Sequence, residues 1–405
     1  MADPAYRDDP HAVDPEIGPA HDTLPPVTTG GWNPHKPAGG RLFVNLGPIA
    51  LENGEVLPQS RIAYETWGHL NPQRSNAVLI CHALTGDSHV AGEADAAHPT
   101  AGWWNDIVGP GKAIDTDTYF VVVPNVLGGC QGSTGPASLA PDGHAWGSRF
   151  PQICTRDMMR AEQRLADYLG IYRWDMIVGP SAGGHRALEW AVSAPERLGS
   201  LVLIATGAQT TADQVAWAHM QNMAIELDPD WSGGDYYDQP HGPDRGLGLA
   251  REIAHATYRS PGELNTRFGR EPQSGEDPLH GGRLAVQSYL DHHAAKLARR
   301  FDAGSYVALN KALITHDVAA GRGDLRTVLR GIEARTLVVS VDTDRLFPAG
   351  ACRAMAEMIP GAIYRQIHSD HGHDGFLIES ARMDRVLRDF LYQPVKQVAS
   401  MPVAR

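Results

Sequence analysis

Short, uninterrupted apolar runs recur along the chain and are separated by stretches with helical periodicity. The first four runs are residues 77–81, 119–124, 175–178 and 201–204. Such runs are typical of strands that are buried on both faces of a parallel sheet. Helical stretches lie between them, notably 156–169 and 183–193. This alternation predicts an α/β fold with a mostly parallel sheet, helices on both faces and right-handed crossovers.

Polar and apolar residues alternate before these runs, at 42–51 and 61–67, on either side of Asn53-Gly54. Asn-Gly between alternating segments is a strong hairpin signal, so two antiparallel strands are expected to open the fold. Residues 1–40 are rich in Pro, Gly, Asp and His and lack an apolar period. They are predicted to form a disordered N-terminal tail.

The strand pattern stops after Ala205 and returns only at 336–341 and 363–367. The intervening segment carries mostly helical periodicity and is too long to be a loop, so we interpret it as a helical lid inserted into the sheet domain. The predicted boundaries are 41–205 for the first part of the core, 206–325 for the lid, 326–395 for the second part of the core and 396–405 for a C-terminal tail.

Composition narrows the class of protein. The chain has 405 residues, 42% of them apolar, and a formal charge of −12. No apolar run approaches the roughly 18 residues of a membrane span, and no basic run offers a surface for nucleic acid or anionic lipid. Four scattered cysteines and the absence of a signal-like N-terminus favour a reduced, cytoplasmic protein.

A G-x-S-x-G pattern, Gly179 to Gly183 with Ser181 at its centre, follows an apolar strand and precedes a helix. The glycines permit a tight strand-to-helix turn, which projects the serine hydroxyl at the positive end of the helix. Ser181 is therefore the predicted nucleophile. The backbone N–H of Ala182 is the predicted first donor of an oxyanion hole.

A serine nucleophile needs an acid and a histidine later in the chain. Asp342 and Asp344 both follow the strand at 336–341. Asp344 is favoured because it lies further past the strand end, where it can reach an imidazole. Asp342 is expected to cap or hydrogen-bond within the same turn.

Three histidines, His368, His371 and His373, follow the next strand within six positions. His373 is the predicted base because it lies where the loop meets Phe376 and the final helix. No carboxylate/His pair at helical spacing supports a metal interpretation of this cluster, so no metal site is predicted.

The second oxyanion donor is expected in the loop after the third strand, most simply the N–H of Leu84. His82 in the same loop could act as a second base. A loop histidine beside a strand end is more often a structural hydrogen-bonding group, which is the interpretation we favour.

Several longer segments resemble the homoserine O-acetyltransferases, α/β-hydrolase-fold enzymes of methionine biosynthesis, in particular those of actinobacteria. The resemblance covers the chain from about Arg41 to Leu391. It rests on segments that include CHALTGDSHVAG (81–92), GSRFP (147–151), LAREIAHATYR (249–259), RFDAGSYVALNKAL (300–313), DTDRLFP (342–348) and GHDGFL (372–377).

The resemblance implies the same nucleophile, acid and base that the residues themselves indicated. It also implies that Arg251 binds the α-carboxylate of an amino acid, that Asp374 holds its α-ammonium, and that Tyr258 lies near the pocket. A guanidinium can grip a carboxylate through two hydrogen bonds, so this division of roles is physically reasonable.

The implied reaction is ping-pong transfer of an acetyl group from acetyl-CoA to the side-chain hydroxyl of L-homoserine, with acetyl-CoA as co-substrate and no further cofactor. A homodimer that forms through the lid is also implied. Around the nucleophile, however, this chain has GPSAGG (179–184), where the family usually has GGSMGG. L-Serine as acceptor, succinyl-CoA as donor and plain ester hydrolysis therefore stay open as alternatives, whereas a non-catalytic binding protein is disfavoured by the intact triad.

Overall fold

An eight-stranded sheet forms the centre of the protein in a computed structural model, which describes residues 27–392. The strands in chain order are β1 (Leu42–Ala50), β2 (Val56–Trp67), β3 (Ala77–Ile80), β4 (Val108–Gly109), β5 (Ile114–Asp115), β6 (Phe120–Pro124), β7 (Trp174–Pro180), β8 (Leu198–Ile204), β9 (Arg335–Val341) and β10 (Ile363–Ile367). Strands β4 and β5 form a separate short parallel pair.

The main sheet has the order β1-β2-β6-β3-β7-β8-β9-β10. The strands from β6 to β10 pair in parallel, whereas β1 and β2 form the antiparallel hairpin expected around Asn53-Gly54. Because the parallel strands point the same way, the loops that follow β3, β7, β9 and β10 meet at one edge. All candidate triad residues lie in those loops.

Eleven helices accompany the sheet within the described residues. They are α1 (Thr155–Tyr168), α2 (Ala182–Ser193), α3 (Ala212–Glu226), α4 (Asp244–Tyr258), α5 (Pro261–Phe268), α6 (Ala285–Ala298), α7 (Ala303–Ile314), α8 (Leu325–Arg330), α9 (Ala349–Met358), α10 (Gly375–Ile378) and α11 (Ser380–Tyr392).

Successive residues of the central strands enter two different hydrophobic cores. In β3, Leu79 joins the core that contains α1 and α2, while Val78 and Ile80 join the core that contains α11. All three are fully buried. This burial on both faces explains why β3 appears in the sequence as an unbroken apolar run.

Helices α3 to α8 occupy the segment between β8 and β9, and the described residues of that segment add no strand to the sheet. The predicted lid therefore corresponds to α3 to α7, while α8 packs against α9 of the core. Within residues 27–392, no helix combines the length and apolarity needed to cross a membrane.

Residues 27–40 differ from the disordered tail predicted for residues 1–40. The N–H of Thr28 donates to the carbonyl of Tyr237, and the N–H of Trp32 donates to the carbonyl of Cys130, each at 2.8 Å. These contacts fix the segment against both lid and core. Composition did not indicate this, because a few anchoring contacts stabilise an otherwise loop-like sequence.

The remainder of the predicted N-terminal tail and the predicted C-terminal tail, residues 1–26 and 396–405, lie outside the described residues.

Candidate active site

The turn from β7 into α2 places Ser181 in a strained backbone conformation. Its φ and ψ are 54° and −128°, and its N–H donates to the carbonyl of Ile204 at 2.8 Å. A non-glycine residue with positive φ is uncommon and persists where surrounding contacts impose it. This backbone conformation directs the serine side chain away from the sheet edge, at the start of α2.

Two glycines permit this turn because backbone passes close to their α-carbons. A Cβ on Gly183 would lie 1.9 Å from the carbonyl oxygen of Cys81, and one on Gly179 would lie 2.4 Å from the oxygen of Gly183. Either would force the backbone apart. Helix α2 can therefore begin directly against the end of β3.

A continuous hydrogen-bonded chain joins the three candidate catalytic residues. Nε2 of His373 lies 2.8 Å from Oγ of Ser181, and Nδ1 lies 2.7 Å from Oδ2 of Asp344. The other oxygen of Asp344 accepts the N–H groups of Leu346 and Phe347 at 2.8 and 2.9 Å. These two hydrogen bonds hold the carboxylate in place. Ser181, at the other end of the triad, is 8% exposed.

The charges around the Ser181–His373–Asp344 hydrogen bonds favour proton transfer from the serine. Burial lowers the pKa of His373, but the Asp344 carboxylate outweighs burial, and the net effect is a raised pKa. Donation of Nδ1–H to Asp344 leaves Nε2 free to accept the Ser181 proton.

The competing aspartate and histidines lie in other contacts. Oδ2 of Asp342 is 2.5 Å from Nδ1 of His368, and Oδ1 of Asp342 accepts the N–H of Ser369. His371 lies with its Nδ1 3.4 Å from Glu263 of α5. None of these side chains joins the hydrogen-bonded chain at Ser181.

The two candidate oxyanion donors lie side by side. Leu84 and Ala182 line the same small cavity, and neither backbone N–H donates a hydrogen bond to another of the described residues. Since Ala182 opens α2, its N–H is one of the helix donors without an intrahelical partner.

A buried ion pair supports the loop that carries Leu84. Arg186 of α2 pairs with Glu162 of α1 and donates to the carbonyl of His82 at 2.7 Å. His82 accepts the N–H of Val126 through Nε2 at 3.1 Å. Burial, assisted by the Arg186 charge, lowers the pKa of His82 to about 3. His82 thus has the contacts of a neutral structural residue.

Helix α4 brings Arg251 and Tyr258 to the site. The Arg251 guanidinium lies 5.5 Å from the centre of the Tyr258 ring and donates to Oγ1 of Thr85 at 3.3 Å. The same tyrosine ring lies 5.6 Å from the ring of His373. Arg251 forms no ion pair with a carboxylate among residues 27–392, so its charge is available to a ligand.

Asp374 has a cation partner that sequence reasoning missed. Its Oδ2 lies 3.3 Å from Nε of Arg259, directly after α4. Burial raises the pKa of Asp374, although Arg259, His373 and Arg251 oppose the increase. Arg259 closes the LAREIAHATYR segment, but only the fold shows that this end of α4 lies against the His373 loop.

One further group has the composition of a metal site. Ligand atoms of Glu65, His89 and His98 lie within 4.8 Å of one another, and all three residues are buried. The two imidazole rings are stacked 3.9 Å apart and 8° from parallel. Because ring lone pairs lie in the ring plane, stacked rings do not aim at one ion without rotating.

Glu65 contacts a nitrogen of each of these rings, which gives it a role that needs no metal. Burial favours a raised pKa, but hydrogen bonds from His89, His98 and Ser88 lower the pKa of Glu65 to about 2. The contacts are those of a carboxylate that holds two imidazoles. The sequence did not single out this group, because its members come from three separate segments.

Comparison with known proteins shows the family. The family model for the alpha/beta hydrolase fold matches residues 76–380. A homoserine O-acetyltransferase of Thermobifida fusca is 56% identical over 378 residues, which is 92% of this chain and all of that protein. The chain belongs to the homoserine O-acetyltransferase family. The α/β hydrolase fold expected from the sequence is thus confirmed, and so is membership of an acyltransferase family.

Solved structures agree on the architecture. A homoserine O-acetyltransferase from Bacillus anthracis superposes with a TM-score of 0.81 at 29% identity, over 88% of this chain and 98% of that one. Esterase E22 superposes with a TM-score of 0.79 at 25% identity, over 87% and 99%. An acetyltransferase and an esterase are therefore both similar to this chain in fold.

Proposed function

We propose that the protein transfers an acetyl group from acetyl-CoA to the side-chain hydroxyl of L-homoserine through an acyl-serine intermediate. The observation that carries the proposal is the Ser181–His373–Asp344 hydrogen-bonded chain beside two free amide donors. Membership of the homoserine O-acetyltransferase family supports the choice of substrates.

In the first half-reaction, the hydroxyl proton of Ser181 moves to Nε2 of His373 while Oγ attacks the thioester carbonyl carbon. The N–H groups of Leu84 and Ala182 hold the oxyanion that forms. The carbon–sulfur bond then breaks, and His373 returns the proton to the sulfur. Coenzyme A leaves as a thiol, and Ser181 remains acetylated.

In the second half-reaction, the acceptor hydroxyl gives its proton to His373 and attacks the acetyl carbonyl. The bond to Ser181 breaks, and Oγ recovers the proton. Arg251 would hold the acceptor's carboxylate and Asp374 its ammonium, with Tyr258 beside them. This orientation presents the side-chain hydroxyl to the acyl-enzyme.

The space beside the oxyanion donors favours acetyl over succinyl. A cavity of about 30 Å³ lies against Leu84 and Ala182, with Met158 and Leu309 among its apolar walls. A methyl group is comparable in size to the roughly 30 Å³ that one water molecule occupies. A succinyl chain is several times larger than a methyl group, so the size of this cavity favours an acetyl donor.

Ester hydrolysis is the second candidate, because the fold likeness extends to an esterase. The same triad hydrolyses its acyl-enzyme when water is the acceptor. Arg251 beside Asp374 favours transfer, since a cation and an anion next to the triad suit an amino acid and are not needed for water.

The proposal includes a cytoplasmic homodimer that forms through the lid. Met220, Met223 and Leu227 lie on one face of α3 and its end, with exposures of 42%, 36% and 74%. Exposed apolar residues that cluster in this way mark interaction surfaces. The four cysteines are free thiols, which agrees with a reducing compartment. Light scattering after size-exclusion chromatography tests the dimer.

Thiol release from acetyl-CoA tests the reaction. Repeated turnover should require L-homoserine, proceed more slowly with L-serine, and disappear in Ser181→Ala. Without an amino acid, about one equivalent of thiol per enzyme should be released, and intact-protein mass spectrometry of the wild type should show an acetyl adduct. Repeated thiol release that needs no amino acid would instead establish hydrolysis. A preference for L-serine would overturn the assigned acceptor.

A further inference from the structure

A cavity of about 620 Å³ lies against the hairpin of β1 and β2 and the loop that follows β6. Its walls come from the segments 27–35, 45–61 and 129–143, and we name it the hairpin cavity. No described residue lines both this cavity and the small cavity at Leu84 and Ala182. Its volume lies within the range of about 300–1,000 Å³ that is usual for small-molecule sites. The chain thus has room for a ligand away from the proposed acyl group.

A single cation, Arg61 of β2, faces this space. Among the described residues that line the hairpin cavity there is no other arginine or lysine, and no aspartate or glutamate. Nε of Arg61 donates to the carbonyl of Gly132 at 3.1 Å, but within residues 27–392 its two terminal nitrogens have no partner and the side chain forms no ion pair. Burial lowers the pKa of Arg61, and no carboxylate opposes this effect. The fork of the guanidinium is therefore available to an anion.

Two aromatic rings hold the guanidinium of Arg61 in place. Its central carbon lies 5.7 Å from the centre of the Trp32 ring and 5.1 Å from the centre of the Phe43 ring. Trp32 is itself fixed, because its backbone N–H donates to the carbonyl of Cys130 at 2.8 Å and its indole N–H donates to the carbonyl of Pro37 at 3.0 Å. Contacts with aromatic rings stabilise a cation but leave its charge without compensation.

The wall of the hairpin cavity is also fixed from behind. Gln131 lies between Cys130 and Gly132, both of which line the cavity. Nε2 of Gln131 donates to the carbonyl of Arg300 at 2.7 Å, and Arg300 donates to the carbonyl of Thr85 at 2.9 Å. Contacts with the lid and with the core therefore hold this wall in place before any ligand binds, which reduces the entropic cost of binding.

We propose that the hairpin cavity binds a small monocarboxylate with an apolar body. A guanidinium fork fits a planar carboxylate through two parallel hydrogen bonds. One cation matches one negative charge, and the described lining offers no acidic group to hold an ammonium. Val27, Ala137 and Leu139 supply apolar surface for the rest of the ligand. This second site is independent of the proposed acetyl transfer.

A ligand-observed NMR titration with benzoate measures the site without turnover. Benzamide is the matched ligand, because it has nearly the same shape but no charge. The wild type should bind benzoate with a dissociation constant of about 1 mM, which is reasonable for a ligand this small. Benzamide should bind at least about tenfold more weakly. Equal binding of the two compounds, or no binding of benzoate, would overturn the inference.

Variants test whether benzoate binds at Arg61. Arg61→Gln should raise the dissociation constant for benzoate at least about tenfold, because charge-assisted hydrogen bonds are lost. Arg61→Lys keeps the charge but loses the fork, so its affinity should lie between those of the wild type and Arg61→Gln. Arg164→Gln is the matched control, since Arg164 is exposed, donates to the carbonyl of Leu46 of β1 at 2.9 Å and does not line the cavity. It should bind benzoate as the wild type does.

Arg251→Gln separates this site from the proposed acceptor site, whose guanidinium also attracts carboxylates. Its dissociation constant for benzoate should equal that of the wild type. Loss of binding in Arg251→Gln but not in Arg61→Gln would overturn the inference. Thermal unfolding without ligand shows whether each variant is folded. If Arg61→Gln did not fold, Arg61→Lys would decide alone, and a wild-type affinity in that variant would overturn the inference.

Discussion

Nε of Arg259 lies 3.3 Å from Oδ2 of Asp374, so the carboxylate beside His373 is paired with an arginine from the end of the lid helix α4. Burial alone would favour a neutral Asp374, and the arginine opposes that effect. Arg251, about two turns earlier in α4, forms no ion pair with a carboxylate among residues 27–392. Both arginine charges lower the pKa of Asp374, but only Arg259 forms an ion pair with it.

Arg259→Gln removes the cation that lowers the pKa of Asp374. That pKa should rise, so the carboxylate needed for an ammonium group is lost at a higher pH than in the wild type. We expect the acidic limb of kcat/KM for L-homoserine to move to higher pH, while kcat/KM for S-acetylpantetheine keeps its profile. Arg267→Gln, which removes another cation near Glu263, is the control. Identical acidic limbs in the two variants would contradict the positioning role of Arg259.

Arg251→Gln removes the guanidinium assigned to the acceptor's carboxylate. A charge-assisted pair contributes roughly 1.5–3 kcal/mol, so kcat/KM for L-homoserine should fall by about 10- to 100-fold. The loss should appear mainly as a rise in the KM for the amino acid. Steady-state kinetics with S-acetylpantetheine as donor measures this KM. An unchanged KM would show that the carboxylate binds elsewhere.

The sheet and the serine turn could be predicted because short-range rules determine them. An apolar run followed by G-x-S-x-G predicts the strand, turn and helix that place Ser181. The close approach of backbone at Gly183 explains why a residue without a Cβ stands there. Asp344 and His373 follow from strand order, since parallel strands end at one edge.

The partners of the site residues could not be predicted in the same way. Arg259, Thr85 and Arg300 meet their partners only because α4 and the chain after α6 pack against loops far away in sequence. The spacing of residues along the chain carries no signal for such contacts. The group of Glu65, His89 and His98 was missed for the same reason.

Asp342 and Asp344, two residues apart, offer a matched pair of variants. Asp344→Asn removes the carboxylate that raises the pKa of His373 and fixes its tautomer. In a comparable serine triad this change costs about 10⁴ in kcat, and we expect a loss of that order in thiol release. Asp342→Asn alters the contact with His368, keeps an oxygen that can accept the N–H of Ser369, and should retain wild-type activity.

The pH profile provides a second measurement on the same pair. Acylation needs neutral His373, so kcat/KM for acetyl-CoA should rise with pH through the pKa of His373. Because that pKa is raised, the inflection should lie above the ordinary value of about 6.5. Asp342→Asn should keep this inflection. An inflection at or below the ordinary value in the wild type would contradict the electrostatic role of Asp344.

Met158 forms part of the wall of the small cavity beside Leu84 and Ala182. Met158→Ala should enlarge that cavity, because the residue is 6% exposed and its side chain forms part of the wall. The ratio of kcat/KM for propionyl-CoA to that for acetyl-CoA should then rise about 10-fold, as expected when a pocket gains room for one methylene. Met220→Ala, an exposed methionine on α3, controls for loss of a methionine. If the two variants gave the same ratio, the acyl group would have to bind outside this cavity.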